Sequence, residues 1–305
     1  MPMSNYPGGF KHGVSIEGIP YHMAHSGKTF WVDENASSTG HGTQNNPLKS
    51  IDDAMGKCLA GRGDLIIVKP GHIENISAAG DLACDVIGVT IVGTGTGDDQ
   101  AKITFDTADT ASVTVTVANV TFDNMWFECN FANVDGAIAV AAGGDYFTIK
   151  NSRFTNSTTT KDFENVIALA VGANYFSFID NDVHMIAGSD TEAFVATVGE
   201  SLGMRVIGNN IIGEFSTSIF DIDATAITGA PLFRDNLMIN LTVAANFCVE
   251  IDGATVALFC NENYGCAGDD LPVAASTASF FVNCNGVDAL DAQSRTFPKT
   301  ATAWP

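Results

Sequence analysis

The chain has 305 residues, 46% of them hydrophobic and only 16% charged, which excludes a disordered polyelectrolyte. Its 35 carboxylates against 14 Lys plus Arg give a net charge of −21, which excludes nucleic acid as a partner, since phosphates need cations to neutralise them. No apolar run reaches the length of a membrane span, and seven cysteines without a Cys-x-x-Cys pair fit reduced, buried thiols better than a disulfide framework or zinc site.

Residues 1–30 contain Gly8, Gly9, Gly13 and Gly18 and the aromatics Tyr6, Phe10, Tyr21 and Phe30, but no periodicity. They start with no basic segment leading into an apolar run, so no signal peptide is expected, and they read as an extended arm. A short helix is predicted over about 47–60, with Leu48, Ile51, Met55, Cys58 and Leu59 on one face and Gly61 as its stop. DLIIVKPG, from Asp64, follows as the first buried strand, and the helix would cover the open end of whatever the strands build.

From there one pattern recurs: apolar, any, apolar, any, a small or polar residue, usually Asn, any, apolar. It reads VTIVGTGT at Val89, VTFDNMWF at Val120, FTIKNSRF at Phe147, FSFIDNDV at Phe176, MRVIGNNI at Met204, PLFRDNLM at Pro231 and VALFCNEN at Val256. A last copy, FVNCNGV, lies in the segment beginning at Phe280, and successive starts differ by 31, 27, 29, 28, 27, 25 and 24 residues. A near-constant period of this size marks a repeat architecture. Period-two alternation rich in Val, Ile, Phe and Thr marks strands. A second alternating run lies between copies: VTVTV from Val113, AIAVAAG from Ala137, VIALAVG from Val166 and FCVEID from Phe247.

No copy has room for a helix, so the expected fold is all-β, a right-handed single-stranded parallel β-helix over residues 31–290 with a C-terminal tail at 291–305. Asn181, Asn209, Asn236, Asn261 and Asn285 share one template position and are expected to stack as a hydrogen-bonded ladder at a sharp corner. Cys260 and Cys284 are expected to stack one position earlier.

The segment FWVDENASSTGHGTQNNPLKSIDDAMGKC from Phe30, followed by GDLIIVKPGHIE from Gly63, resembles the opening of pectin-lyase-like β-helix proteins. That resemblance extends from about Phe30 to about Val287 and implies the same fold. The class includes polysaccharide lyases, glycoside hydrolases, phage tailspikes and non-enzymatic virion proteins. The arm and the Ala/Thr/Asn-rich turns look most similar to tailed-phage proteins, in particular β-helical capsid decoration (cement) proteins. This implies a homotrimer on the capsid surface, assembled in the host cytoplasm, with the major capsid protein as partner. It implies no cofactor or membrane, and an arm whose Tyr6, Phe10, Tyr21 and Phe30 are the anchors.

The competing expectation is a polysaccharide-processing enzyme, which needs paired carboxylates or a cation site with a base. If Phe220 and Ile222 face inward, Asp221 and Asp223 face outward, and Glu250 and Asp252 do so one turn later. Gly40-His41-Gly42 and Gly268-Asp269-Asp270 occur in the reverse of the polygalacturonase order and lack the Arg-x-Lys that should follow. Arg153, Arg205 and Arg234 lie in strands away from any matching acidic cluster. The histidines, His72 included, show no metal-binding spacing and read as surface or turn residues. GTGTGDD after Val92 lacks the Lys and helix of a phosphate loop and reads as a long turn.

Overall fold

The computed structural model describes residues 14–16, 19–21, 27–37, 40–186, 188, 191–199, 201–223, 230–242, 247–251, 257–266, 273–274, 279–288 and 294–296. Each turn of the chain lays one short strand on each of three sheets. The first sheet has ten strands, running from Thr29–Val32 through Leu65–Val68, Thr121–Asp123 and Ser177–Ile179 to Phe280–Val282. The second has ten, starting at Ile73–Ile76, and the third has eight, starting at Leu82–Cys84. Successive turns pair in parallel, as in Thr121–Asp123 against Thr148–Lys150. The result is a right-handed parallel β-helix, the hand that parallel crossovers take almost without exception.

Alternation decides what faces in. Phe122, Ile149, Phe178, Val206, Phe233, Phe259 and Phe281 form one buried column down the first sheet. Phe127, Phe154, Val183, Ile211 and Met238 form another down the second. Rings stack where phenylalanines fall on adjacent turns, with centroids 4.6 Å apart for Phe127 and Phe154 and 4.7 Å for Phe259 and Phe281. Burying each ring is worth roughly 1.5–3 kcal/mol. The core is therefore a continuous rod, and each turn depends on the turns on either side.

The ladder exists, but two of its expected members are not in it. Asn181 donates its backbone N–H to Asn209 Oδ1 at 2.9 Å, and Asn209 donates likewise to Asn236 Oδ1 at 2.9 Å. Each side-chain amide repeats the same bond at 3.0 Å and 2.8 Å and also donates to a backbone carbonyl of the preceding turn. Upward the ladder ends on Ser152, and downward on Glu262 rather than Asn261. Asn261 belongs to the neighbouring exposed column, where Asn124, Asn151, Asp180, Asp235, Asn261 and Asn283 all have φ between 51° and 58°. Asn285 opens the strand Asn285–Asp288 and pairs with Asn263.

The expected register had slipped by one residue, which in a strand exchanges the two faces. The turn following Pro231 begins at Ala257 and the next at Ser279, so Phe233, Phe259 and Phe281 align. The same slip undoes the expected cysteine stack, because Cys260 pairs with Val282 and not with Cys284. The left-handed corner also sits one position before the ladder, so turning and laddering fall to different residues.

The capping helix is shorter than expected, Ile51–Met55. Ser50 caps it by accepting from Asp53 N–H at 3.0 Å, and Glu74 accepts from Ile51 N–H at 2.8 Å while bonding His72 Nε2 at 2.9 Å. His72 is buried where its backbone N–H closes a turn on the Lys69 carbonyl, so of the surface or turn role expected of it only the turn holds. Leu48, Ile51, Ala54, Met55 and Cys58 cover the rod, but Leu59 lies past the helix end and is exposed. Asp52 Oδ1 accepts from Ala83 N–H at 3.1 Å, satisfying a backbone donor on the first strand of the third sheet. Asp64 ties the cap together by accepting from Lys28 N–H, Leu59 N–H and both arms of Arg62. Burial alone would raise its pKa; those donors outweigh burial and bring it down to about 2.

Phe30 does not belong to the arm. It lies in the strand Thr29–Val32, pairs with Ile66 and is buried, so it is core. Val14–Ile16 and Ile19–Tyr21 pair as an antiparallel hairpin, whereas Tyr6 and Phe10 lie outside the described residues, as does the side chain of Tyr21. At the other end Ser294–Thr296 runs antiparallel to Asn285–Asp288.

Candidate functional site

The outward face of the third sheet carries Ala83, Thr114, Ala139, Ala168, Ala196, Asp221 and Glu250 in one register column. All seven are half-buried. Asp221 and Glu250 are direct partners on adjacent strands, flanked inside by Phe220, Val249 and Ile251. The expectation that these two carboxylates face out on neighbouring turns is met, and adjacent strands bring them about 4.8 Å apart at the backbone. Asp223 is in strand and pairs with Val198, but its side chain lies outside the described residues, as does the whole of Asp252. Two of the four expected carboxylates are thus brought together on the outward face of the third sheet. Gly268, Asp269 and Asp270 also lie outside the described residues.

A second polar surface lies at the corner between the first and second sheets. Thr96, Gly97, Gln100, Asn124, Asn151, Ser152, Arg153, Asp180 and Asp182 line an open groove of about 350 Å³. Beside it Trp126 lies between two cations, Lys102 Nζ at 3.6 Å and Arg153 Cζ at 4.4 Å from the ring centroid. Lys102 also pairs with Glu128 at 3.0 Å, and Trp126 Nε1 donates to Thr155 at 2.7 Å. These bonds hold the indole edge-down against the sheet, leaving it 9% exposed, so it offers no stacking face.

At the corner between the third and first sheets stand two residues the sequence reading passed over, Tyr146 and Tyr175. Their rings stack with centroids 4.6 Å apart at 11°, and both are exposed. Both backbones are left-handed, φ 57° and 60°, at positions where neighbouring turns place Asn119 and Gly203. Each tyrosine there costs about 1–2 kcal/mol. The signal was present as Tyr-Phe at the same offset in consecutive repeats, just ahead of the template.

No family model matches the sequence, and neither does any curated protein. Among solved structures the chain is similar to a rhamnogalacturonan lyase, with a TM-score of 0.55 at 10% identity, over 86% of this chain and 74% of that one. The pectate lyase Pel9A aligns with a TM-score of 0.41 at 15% identity, over 86% of this chain and 62% of that one. The first of these likenesses shows a shared fold, the parallel β-helix.

Proposed function

We propose that this chain is a non-enzymatic virion protein of a tailed phage, a decoration protein that trimerises and is held to the major capsid protein by its N-terminal arm. The observation that carries the reading is the alanine column on the outward face of the third sheet. Ala139, Ala168 and Ala196 follow one another in register with no large side chain between them. A second copy can then approach to the roughly 10 Å at which sheets pack, and cyclic closure of such faces is a common solution for homo-oligomers. Asp221 and Glu250 belong at the margin of that contact, because symmetry would set like charges against each other. The likeness of the arm and the Ala/Thr/Asn-rich turns to tailed-phage proteins supports the same reading.

Light scattering on the full chain should return a trimer, and Ala168→Arg a folded monomer. Deleting residues 1–26 spares Gly27, which packs so closely on Gly63 that no Cβ would fit. The truncated protein should keep its thermal midpoint and lose binding to capsid particles. A monomeric native chain, or full decoration by the truncated one, would overturn the proposal.

The Asp221–Glu250 pair and the likeness to a rhamnogalacturonan lyase favour a second reading, a polysaccharide-processing enzyme. Release of unsaturated products or new reducing ends from rhamnogalacturonan or pectin, lost on Asp221→Ala or Glu250→Ala, would decide for it.

A further inference from the structure

We infer that the hairpin Val14–Tyr21 packs back onto an apolar stripe on the rod of its own chain, with Tyr146 and Tyr175 at the centre of the contact. This goes beyond the decoration role, since it concerns where the arm lies when no particle holds it.

The stripe follows one corner. Ten large hydrophobic residues are exposed among the described residues. Six of them, Leu59, Ile87, Tyr146, Val171, Tyr175 and Val198, lie where the chain passes from the third sheet to the first. Exposed apolar surface gathered in this way marks a contact. Its centre is fixed, because the two tyrosine rings stack and the Tyr175 ring lies against Gly203, where a Cβ would come within 2.7 Å of it.

The arm leaves the rod at the head of this corner. Strand register sets Gly27, Gly63, Gly88, Asn119, Tyr146 and Tyr175 in one column, a turn apart. Four turns at about 4.8 Å put Tyr146 roughly 19 Å from Gly27 along the rod, with Tyr175 one turn further. The six residues from Tyr21 to Gly27 span about 20–22 Å when extended. A tether whose reach matches the span gives the tethered group its highest effective concentration there.

The hairpin needs such a surface. Its two strands form a sheet of their own, and two strands alone are marginal in water. Val14 stands opposite Tyr21 and Ile16 opposite Ile19, so four apolar residues occupy one face. Charge favours it over a second rod at this corner. Residues 1–26 hold one Lys and one Glu and are formally neutral, so residues 27–305 carry the whole of the −21. A second rod brings that charge with it; the hairpin brings none. Opening the hairpin unfolds no turn of the rod, so docking is read by proximity and not by the rod's melting.

The test is a cross-link on the full chain, made without particles so that it does not depend on the decoration role. Ser15→Cys/Ala142→Cys spares every apolar side chain of the contact, and Ala142 is exposed four residues before Tyr146. A short bismaleimide should join the two sites within one chain, giving a product of monomer mass on a denaturing gel and the joined peptides by mass spectrometry. The pair Ser15→Cys/Leu237→Cys, with its second site exposed on the second sheet, should give roughly tenfold less. Adding Tyr146→Asn/Tyr175→Asn to the first pair should lower its yield by a similar factor without lowering the thermal midpoint, because Asn119 already holds that column in the left-handed conformation. No link between 15 and 142, a yield equal to that of the Leu237 pair or unchanged by the tyrosine substitutions, or links formed only between chains would overturn the inference.

Discussion

Asn236 donates both its backbone N–H and its side-chain amide to Glu262 Oε1, at 3.2 Å and 3.0 Å, so the asparagine ladder ends on a buried carboxyl group. Burial pushes Glu262 up to about 8, against the opposing effect of the hydrogen bonds from Asn236 and Tyr264. The folded protein keeps this proton where the unfolded chain has lost it, so its contribution is fully present below about pH 4.5 and lost as pH rises through 8. The slope is about 1.4 kcal/mol per pH unit between those limits. Glu262→Gln, which keeps the acceptor and removes the titration, should be the more stable protein at about pH 9 and nearly equal to native at about pH 5. Urea midpoints at the two pH values measure this, and parallel pH profiles would refute it.

The corrected register makes its own prediction. Asn209→Ala removes the acceptor of two Asn181 donors inside the rod and should cost roughly 2–4 kcal/mol. Asn261→Ala acts on an exposed column, where the side chain donates to Asp235 in the preceding turn and accepts from Asn283 in the next, both open to water, and should cost under about 1 kcal/mol. Equal costs in chemical denaturation would restore the original alignment.

Phe178→Asp buries a charge between Phe154, Phe176 and Phe194 and should destabilise by several kcal/mol or prevent folding. His184→Ala, on the exposed face of Asp182–His184, should be almost neutral in the same melt.

Asp64 gives the opposite pH sign to Glu262. Held down at about 2, its contribution is present above about pH 4 and lost as pH falls through 2. Asp64→Asn should cost roughly 1–3 kcal/mol near neutrality and flatten the acid limb of the melt. Hydrogen exchange should show the loosening at Leu59 and Lys28 first, and uniform loosening along the rod would contradict the assignment of Asp64 to the cap.

The repeat made most of the rod legible, because the same apolar spacing must recur wherever Phe178 or Phe233 meets its neighbour a turn away. Legibility failed where turns shorten. Asn261 and Asn285 satisfied the written pattern, yet the Phe233–Phe259–Phe281 column fixes the alignment one residue away. The pairing of Asp221 with Glu250 could be read because both follow an inward residue at equivalent places in successive turns. Glu262 could not, since an acid had replaced the amide that defines its column. Nor could Tyr146 and Tyr175, whose positive φ is invisible in a pattern built on extended strands. Phe30 was misplaced because one isolated strand has no partner repeat in sequence to reveal it.

The bond from Ala83 N–H to Asp52 has a consequence for how such a protein can change in size. With the helix stopping one end and the reversal of Ser294–Thr296 closing the other, neither terminus depends on how many turns lie between. Thr148–Phe176 forms one whole turn whose neighbours above and below present matching columns. Removing it would join Phe147 to Ser177 and carry each column onward by one step. Length in this molecule is therefore a free variable, adjustable in units of one turn, while its two ends stay as they are.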